Sequence, residues 1–384
     1  MFNYRTQNVI FPPIVQYKKK LISLCDRSKL IDLCQAMPSY PMPKSVKQVL
    51  AENFNDSLSF YTEDQGLLEL RELVATLHNS GGVKITADEI IISAGGNNGM
   101  LCAFMALFKK GDKVALPVPY YFNYDMALKM LDVEPFYYHL DENDGFKIKF
   151  DNLDKNIFKQ CKGFVVVNPN NPTGAESDIE ELKKIYAECK KNNSILLSDE
   201  VYGFFAQNGY PNSSILSAVK ELDNLVVVNS FSKIFSLTGF RVGYSIAKQE
   251  IMDEIMKVQD TAIICAPRVS QSAAIEGLKN CIGWLKEKAT SVNANSKEFT
   301  SLFNSAVKGF KIVASGNFFA YLKHPYDDKD DIQTAELIAK KTNMIMLPAS
   351  IFGPKQEKYL RLAFGNLSRK EDINQVVERF KIMV

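Results

Sequence analysis

Residues 230–244 read SFSKIFSLTGFRVGY and follow directly on the apolar run LVVVN (225–229). A run of that kind, apolar without alternation, is the pattern of a strand covered on both faces. Lysines are ordinarily solvated, yet Lys233 stands where the chain is leaving a buried strand, with Arg241 eight positions later. In α/β sheets ligands bind beyond the carboxyl ends of the strands, so the stretch predicts a functional cation at a sheet edge.

The surrounding sequence supports that sheet. Strands are expected at EIIISAG (89–95), KVALPVP (113–119), VEPFYYHL (133–140), GFVVVNP (163–169), SILLSDE (194–200), NLVVVNSF (224–231) and GYSIA (243–247). Between them lie amphipathic stretches such as NNGMLCAFMALFKKG and DIEELKKIYAECKKN, apolar at helical spacing. This βαβ rhythm predicts a mostly parallel seven-stranded sheet with helices on both faces. After about residue 248 the rhythm changes to a long helical stretch (250–305), followed by short strands FFAYLKH (318–324), MIMLPA (344–349) and KYLRLAF (358–364). These read as a smaller α+β domain. The first forty or so residues carry prolines at 12, 13, 38, 41 and 43 and read as an arm with a short helix.

Composition sets the class. Of 384 residues, 46% are apolar and 23% charged, the balance of a globular protein. The 46 basic and 44 acidic side chains nearly cancel, which argues against nucleic-acid and membrane-surface partners. Seven scattered cysteines with no CxxC pair give neither a disulfide framework nor a zinc site, as expected in a reducing cytoplasm. MFNYRTQNVIFPPIV is too short in apolar residues to read as a signal peptide, and no run could span a bilayer. His78, His139 and His324 form no HExxH pattern, so neither catalytic zinc nor a Ser-His-Asp triad is expected.

Five strand ends carry polar, aromatic or glycine-rich groups: GGNNGM, PYYFNY, NPNNPTG, DEVY and NSFSK. Each alone has an ordinary explanation. Asn, Pro and Gly build turns for conformational reasons, aromatic clusters pack, and an Asp at a helix start caps it. Gly95 and Gly96 allow close backbone approach, and the amides after them can form an anion-binding helix start. It is the order and spacing of all five that points to one site.

In combination, SFSKIFSLTGFRVGY, NPNNPTG, SDEVY, YLRLAFGN and the early YTEDQGLLELR resemble the class I and II aminotransferases, fold-type-I pyridoxal-phosphate enzymes, from about Tyr61 to the C-terminus. PYYFNYDMAL and VQDTAIICAPRVSQ look most like the members acting on aromatic amino acids and methionine. The resemblance implies residues 1–45 as an arm with part of the small domain, 46–280 as the coenzyme-binding domain and 281–384 as the small domain. It also implies residue roles. Lys233 would form a Schiff base with pyridoxal 5'-phosphate, since a desolvated amine loses its charge and becomes nucleophilic, and would then serve as the base. Asp199 would keep the pyridine nitrogen protonated. Asn171 and Tyr202 would bond the phenolic oxygen, and Tyr121 would stack on the ring. Ser230, Arg241 and the amides of Gly96 and Asn97 would hold the phosphate, with Ser232 as a further donor. Arg361 would grip the substrate α-carboxylate as a bidentate fork. Tyr61 would reach the phosphate of a neighbouring subunit, making the active unit a homodimer.

Two departures stand out. The family's usual glycine in the early substrate segment falls on Ala36 of QAMPSYPMP (35–43). Near ICAP (264–267) there is no arginine where dicarboxylate-specific relatives carry one, Arg268 being in a different register. The sequence therefore predicts a cytoplasmic aminotransferase moving the amino group of a neutral, aromatic or sulfur-containing L-amino acid to a 2-oxo acid by a ping-pong mechanism. The alternative is a lyase or oxidase-like enzyme using the same residues, because fold does not fix reaction. The ligand-sensing half of a transcriptional regulator is disfavoured by the short segment before Tyr61. A pseudoenzyme is disfavoured by the joint presence of Lys233, Asp199, Arg241 and Arg361.

Overall fold

A computed structural model describes residues 2–79, 82–365, 367 and 369–383 of the chain. Asn366, which ends the YLRLAFGN stretch, lies outside the described residues. In chain order the strands are β1 (Ile31–Asp32), β2 (Ile90–Ser93), β3 (Lys113–Val118), β4 (Glu134–His139), β5 (Gly163–Val167), β6 (Ile195–Asp199), β7 (Leu225–Ser230), β8 (Gly243–Ala247), β9 (Lys311–Gly316), β10 (Phe319–Lys323), β11 (Met344–Ile345), β12 (Leu347–Pro348) and β13 (Tyr359–Ala363).

The seven apolar runs expected of the large sheet form it, in the order β2-β8-β7-β6-β5-β3-β4. Only β8 runs antiparallel to its neighbours β2 and β7; the pairs β7/β6, β6/β5, β5/β3 and β3/β4 are parallel. Every residue of β5, β7 and β8 is buried, as their unbroken apolar character requires when helices cover both faces. The helices Gly96–Leu107 and Gln249–Ile263 pack against each other beside β8.

This topology decides where the site sits. β2, β3, β5, β6 and β7 all end at the same sheet edge, and β8 begins there. Gly243, the first residue of β8, is in register with Ser93 of β2 on one side and Ser230 of β7 on the other. A Cβ on Gly243 would fall 2.6 Å from the Asn229 carbonyl oxygen and 2.7 Å from the Gly96 nitrogen. Glycine there lets the start of the helix Gly96–Leu107 seat directly against the ends of β7 and β8.

The smaller sheet has the order β12-β13-β10-β9 and is antiparallel. β9 falls in KIVASG, which the sequence reading left unassigned. MIMLPA, expected as one strand, divides between two sheets: β11 pairs in parallel with β1, and β12 pairs with β13. The β1/β11 pairing ties the N-terminal region to this smaller unit. The helical stretch 250–305 is three helices, Gln249–Ile263, Arg268–Asn280 and Ile282–Ala306, separated at Ile264–Pro267 and Cys281. Among the described residues, no helix is long and apolar enough to cross a membrane.

Candidate active site

A cavity of about 530 Å³ opens at the shared strand edge. Of the residues singled out in the sequence, Ala36, Gly96, Asn97, Tyr121, Asn171, Asp199, Tyr202, Ser230, Ser232, Lys233 and Arg241 line it. Arg361 is buried behind the Asn171 wall, and Tyr61 does not line the cavity.

Lys233 lies in the short helix Phe231–Ile234 that β7 leads into, started by the Ser230 side chain accepting from the Ser232 amide. Its Nζ donates to the Ala36 carbonyl, and its own carbonyl accepts from the Tyr40 hydroxyl at 2.6 Å. Burial, reinforced by the charges of Arg361 and Arg241, lowers the amine to about 8. An ammonium loses most of its hydration there and is flanked by like charge, so the neutral, nucleophilic form is reached near physiological pH.

At one end of the cavity the groups suit an anion. Gly95, with φ of 84°, caps the helix Gly96–Leu107, and a Cβ on it would meet Arg241 Nη2 at 2.6 Å. The glycine backbone and the guanidinium therefore converge on one spot. Arg241 Nη1 donates to Thr238 O at 3.0 Å and to Ser232 Oγ at 3.4 Å, and Ser230 Oγ donates to Ser232 Oγ at 2.9 Å. Two hydroxyls, one guanidinium and a helix start form a cradle of the kind that suits a phosphate dianion.

At the other end stands Asp199, the last residue of β6. Burial raises its carboxyl, while hydrogen bonds from the Tyr124 hydroxyl and the Val201 amide (3.0 Å) act in the opposite sense. A buried carboxylate facing a ring nitrogen favours the protonated ring by direct pairing. Between the ends, Tyr202 is a neutral phenol, its ionisation pushed up by burial, and Tyr121 accepts from Asn123 Nδ2 at 2.9 Å. Phosphate cradle, amine and carboxylate thus fit the parts of pyridoxal phosphate, which needs an anion site, a nucleophilic amine and a partner for its ring nitrogen.

Arg361, in β13, is 2% exposed. Its Nη1 donates to Asn171 Oδ1 at 3.3 Å and its Nη2 to the Cys34 carbonyl, while Nε has no hydrogen-bond partner among the described residues. The guanidinium lies 5.2 and 5.1 Å from the ring centres of Phe319 and Phe352. Such aromatic contact suits a delocalised cation. The bond to Asn171 links this arginine to the NPNNPTG loop and so to the cavity. Tyr61 is 72% exposed, and its carbonyl accepts from Arg268 Nη2 at 2.9 Å.

The sequence reading missed Tyr124 and Tyr40. Tyr124 had a legible signal: it stands three residues after Tyr121, one turn into the helix Phe122–Met130, so both rings share a face. Tyr40 had none, since its contact joins residues 193 apart in the chain.

Residues 28–380 match the family described as aminotransferase class I and II. The chain is 29% identical over 384 residues to the aromatic aminotransferase ISS1 of Arabidopsis thaliana, covering 97% of this chain and 93% of that protein. It is 27% identical over 373 residues to an aspartate aminotransferase of Pyrococcus horikoshii, covering 94% of each. The solved structure of the Thermus thermophilus aspartate aminotransferase with maleate has the same fold, with a TM-score of 0.89 over 100% of both chains at 22% identity. The chain belongs to the class I and II aminotransferases, fold-type-I enzymes that depend on pyridoxal phosphate.

Proposed function

We propose that this aminotransferase takes a neutral L-amino acid, aromatic or sulfur-containing, as donor and passes its amino group to a 2-oxo acid in a ping-pong sequence. The observation that carries this reading is the distribution of positive charge. Among the described residues, the cations lining the cavity are Lys233 and Arg241, with Arg361 behind it, and each has a task. Arg268, the remaining cation near ICAP, donates to the carbonyls of Tyr61 (2.9 Å) and Phe60 (3.4 Å). Among the described residues, no further guanidinium lines the cavity to receive a side-chain carboxylate. Met37, Ala36, Val201 and Tyr121 supply apolar wall, which suits a thioether or a ring. Relatives named for aromatic amino acids and for aspartate are about equally similar, so the reading rests on the charges.

Pyridoxal phosphate supplies a carbonyl that condenses with amines and a ring that accepts electrons from the substrate Cα. Lys233 Nζ would hold the coenzyme and, as a free amine, would serve as the base for the proton at the substrate Cα. Asp199, fixed by Tyr124 and the Val201 amide, holds a proton on the pyridine nitrogen. Asn171 and Tyr202 would hydrogen-bond the phenolic oxygen, and Tyr121 would support the ring. Ser230, Ser232, Arg241 and the Gly96 and Asn97 amides bind the phosphate. Arg361 orients the α-carboxylate, and the Ala36 backbone lies beside it. The proposed active unit is a homodimer in which Tyr61 of each subunit reaches the other's phosphate. Exposure of Phe54, Phe60 and Tyr61 at 80%, 68% and 72% on one short segment supports that reading. Seven unpaired cysteines suit a cytoplasmic protein.

Three outcomes are expected. Absorbance titration of the holoenzyme without any 2-oxo acid converts the yellow coenzyme to its amine form with phenylalanine, tyrosine or methionine, and poorly with aspartate. Preference for aspartate would overturn the donor class, and ammonia release would favour elimination or oxidation. Arg361→Lys raises KM for the amino acid roughly ten- to a hundredfold through loss of one charge-assisted bond; an unchanged KM would refute the carboxylate role. In the coenzyme-free protein the Lys233 amine near 8 is mostly protonated below that pH and neutral above it. Capture of pyridoxal phosphate therefore quickens with rising pH and levels off above about pH 8. A rise continuing past pH 10 would mean an unshifted lysine.

A further inference from the structure

A second, largely buried polar cluster, with His78 and Tyr244 in the core and Tyr210 partly buried, lies behind the phosphate cradle, and the reaction does not use it. His78, at the end of the helix Leu68–His78, is 1% exposed, and burial pushes its imidazole down to about 3, leaving it neutral. The Tyr244 hydroxyl of β8 lies 3.1 Å from its Nε2. The Tyr210 hydroxyl lies 3.0 Å from Nε2 and 3.2 Å from Nδ1. Tyr210 in turn accepts from Asn229 Nδ2 at 3.3 Å, and Asn229 Oδ1 accepts from the Ser230 amide at 2.8 Å. The segment bearing Tyr210 is tied back to β6 by Glu200, whose Oε1 accepts from Ser198 Oγ at 3.1 Å and the Ile215 amide at 3.0 Å.

A buried histidine with satisfied ring nitrogens is ordinarily a core residue, and two features set this one apart. The chain of bonds does not close on itself: it ends on the amide of Ser230, the residue that opens the cradle. Asn229 also presents its carbonyl to the point where Gly96 and Gly243 meet, 2.6 Å from where a Gly243 Cβ would be. Each group in the series has a partner within the cluster, so the network constrains where Asn229 sits. Asn229 then sets the Ser230 amide and the seat of the helix start. A shift at Asn229 would move both donors together.

We infer that His78, Tyr210 and Tyr244 are positioning residues which, through Asn229, fix the geometry of the phosphate cradle. The inference rests on the proposed phosphate role of Ser230 and Gly96. It predicts an effect confined to the phosphate end: among the described residues, the hydrogen bonds of the Lys233 amine and of Asp199 go to other partners than His78, Tyr210 and Tyr244.

The test uses the full chain freed of coenzyme and titrated separately with pyridoxal phosphate and with pyridoxal, which lacks the phosphate. Tyr210→Phe keeps the ring and removes the hydroxyl. Affinity for pyridoxal phosphate is expected to fall roughly three- to tenfold, as for the loss of one or two buried hydrogen bonds, with affinity for pyridoxal unchanged. Equal weakening of both compounds, or a lower thermal midpoint with neither affinity changed, would make the cluster a core element only and overturn the inference. Should Tyr210→Phe fail to fold, His78→Gln and His78→Leu give the same decision. Glutamine, with a donor and an acceptor, retains phosphate-dependent affinity and leucine does not; equal loss in both contradicts the network. Failure of the unaltered protein to bind pyridoxal phosphate would instead refute the phosphate reading of Ser230.

Discussion

Holding the Lys233 amine in a largely desolvated cavity wall, beside two guanidiniums, is the constraint on which the rest of this site depends. Burial and the fields of Arg361 and Arg241 bring the amine down to about 8, and neither cause acts alone. Desolvation disfavours the ammonium, and the neighbouring cations disfavour it further. Arg361, which is buried, must itself be accommodated, since an unpaired buried charge costs several kcal/mol, whereas Arg241 stays exposed. Arg241 rests on Thr238 O and Ser232 Oγ. Arg361 uses the Cys34 carbonyl, Asn171 and two phenylalanine rings. In both cases the supports are neutral, so the positive field at Lys233 is preserved rather than cancelled.

Topology makes that arrangement possible. Strands β2, β3, β5, β6 and β7 release their chains at one edge, and each exit contributes a different chemical group. β7 and β8 sit side by side, so the lysine after one and the arginine before the other converge although eight residues separate them. The price is a run of glycines at the convergence: Gly95 faces Arg241, and Gly243 faces Asn229 and Gly96. The small sheet adds Arg361 from β13, held against the NPNNPTG loop of the large sheet through Asn171. On the proposed reading, substrate recognition and coenzyme binding draw on different sheets.

Much of this was legible in the sequence because buried parallel strands are strongly patterned. GFVVV, SILLSD and LVVVNS have no other plausible environment than a covered sheet, and their exits fall where the motifs are. Residues of the cradle were readable for the same reason, being within a few positions of a strand end. What was not legible depended on contacts distant in the chain. Tyr40 reaches the Lys233 carbonyl across 193 positions, and His78 meets Tyr210 across 132, with no local pattern to mark either. β9 was missed because KIVASG is short and ends in Ser-Gly, which reads equally as a loop. MIMLPA was read as one strand because apolar character alone cannot reveal that its two halves pair with different partners.

The most direct test of the central claim is chemical. Borohydride reduction of the yellow holoenzyme, followed by proteolysis and mass spectrometry, fixes the coenzyme to whichever amine carries it. The account predicts a phosphopyridoxyl adduct on the peptide containing Lys233 and on no other lysine. An adduct elsewhere, or none at all, would contradict the placement of the reactive amine at the end of β7.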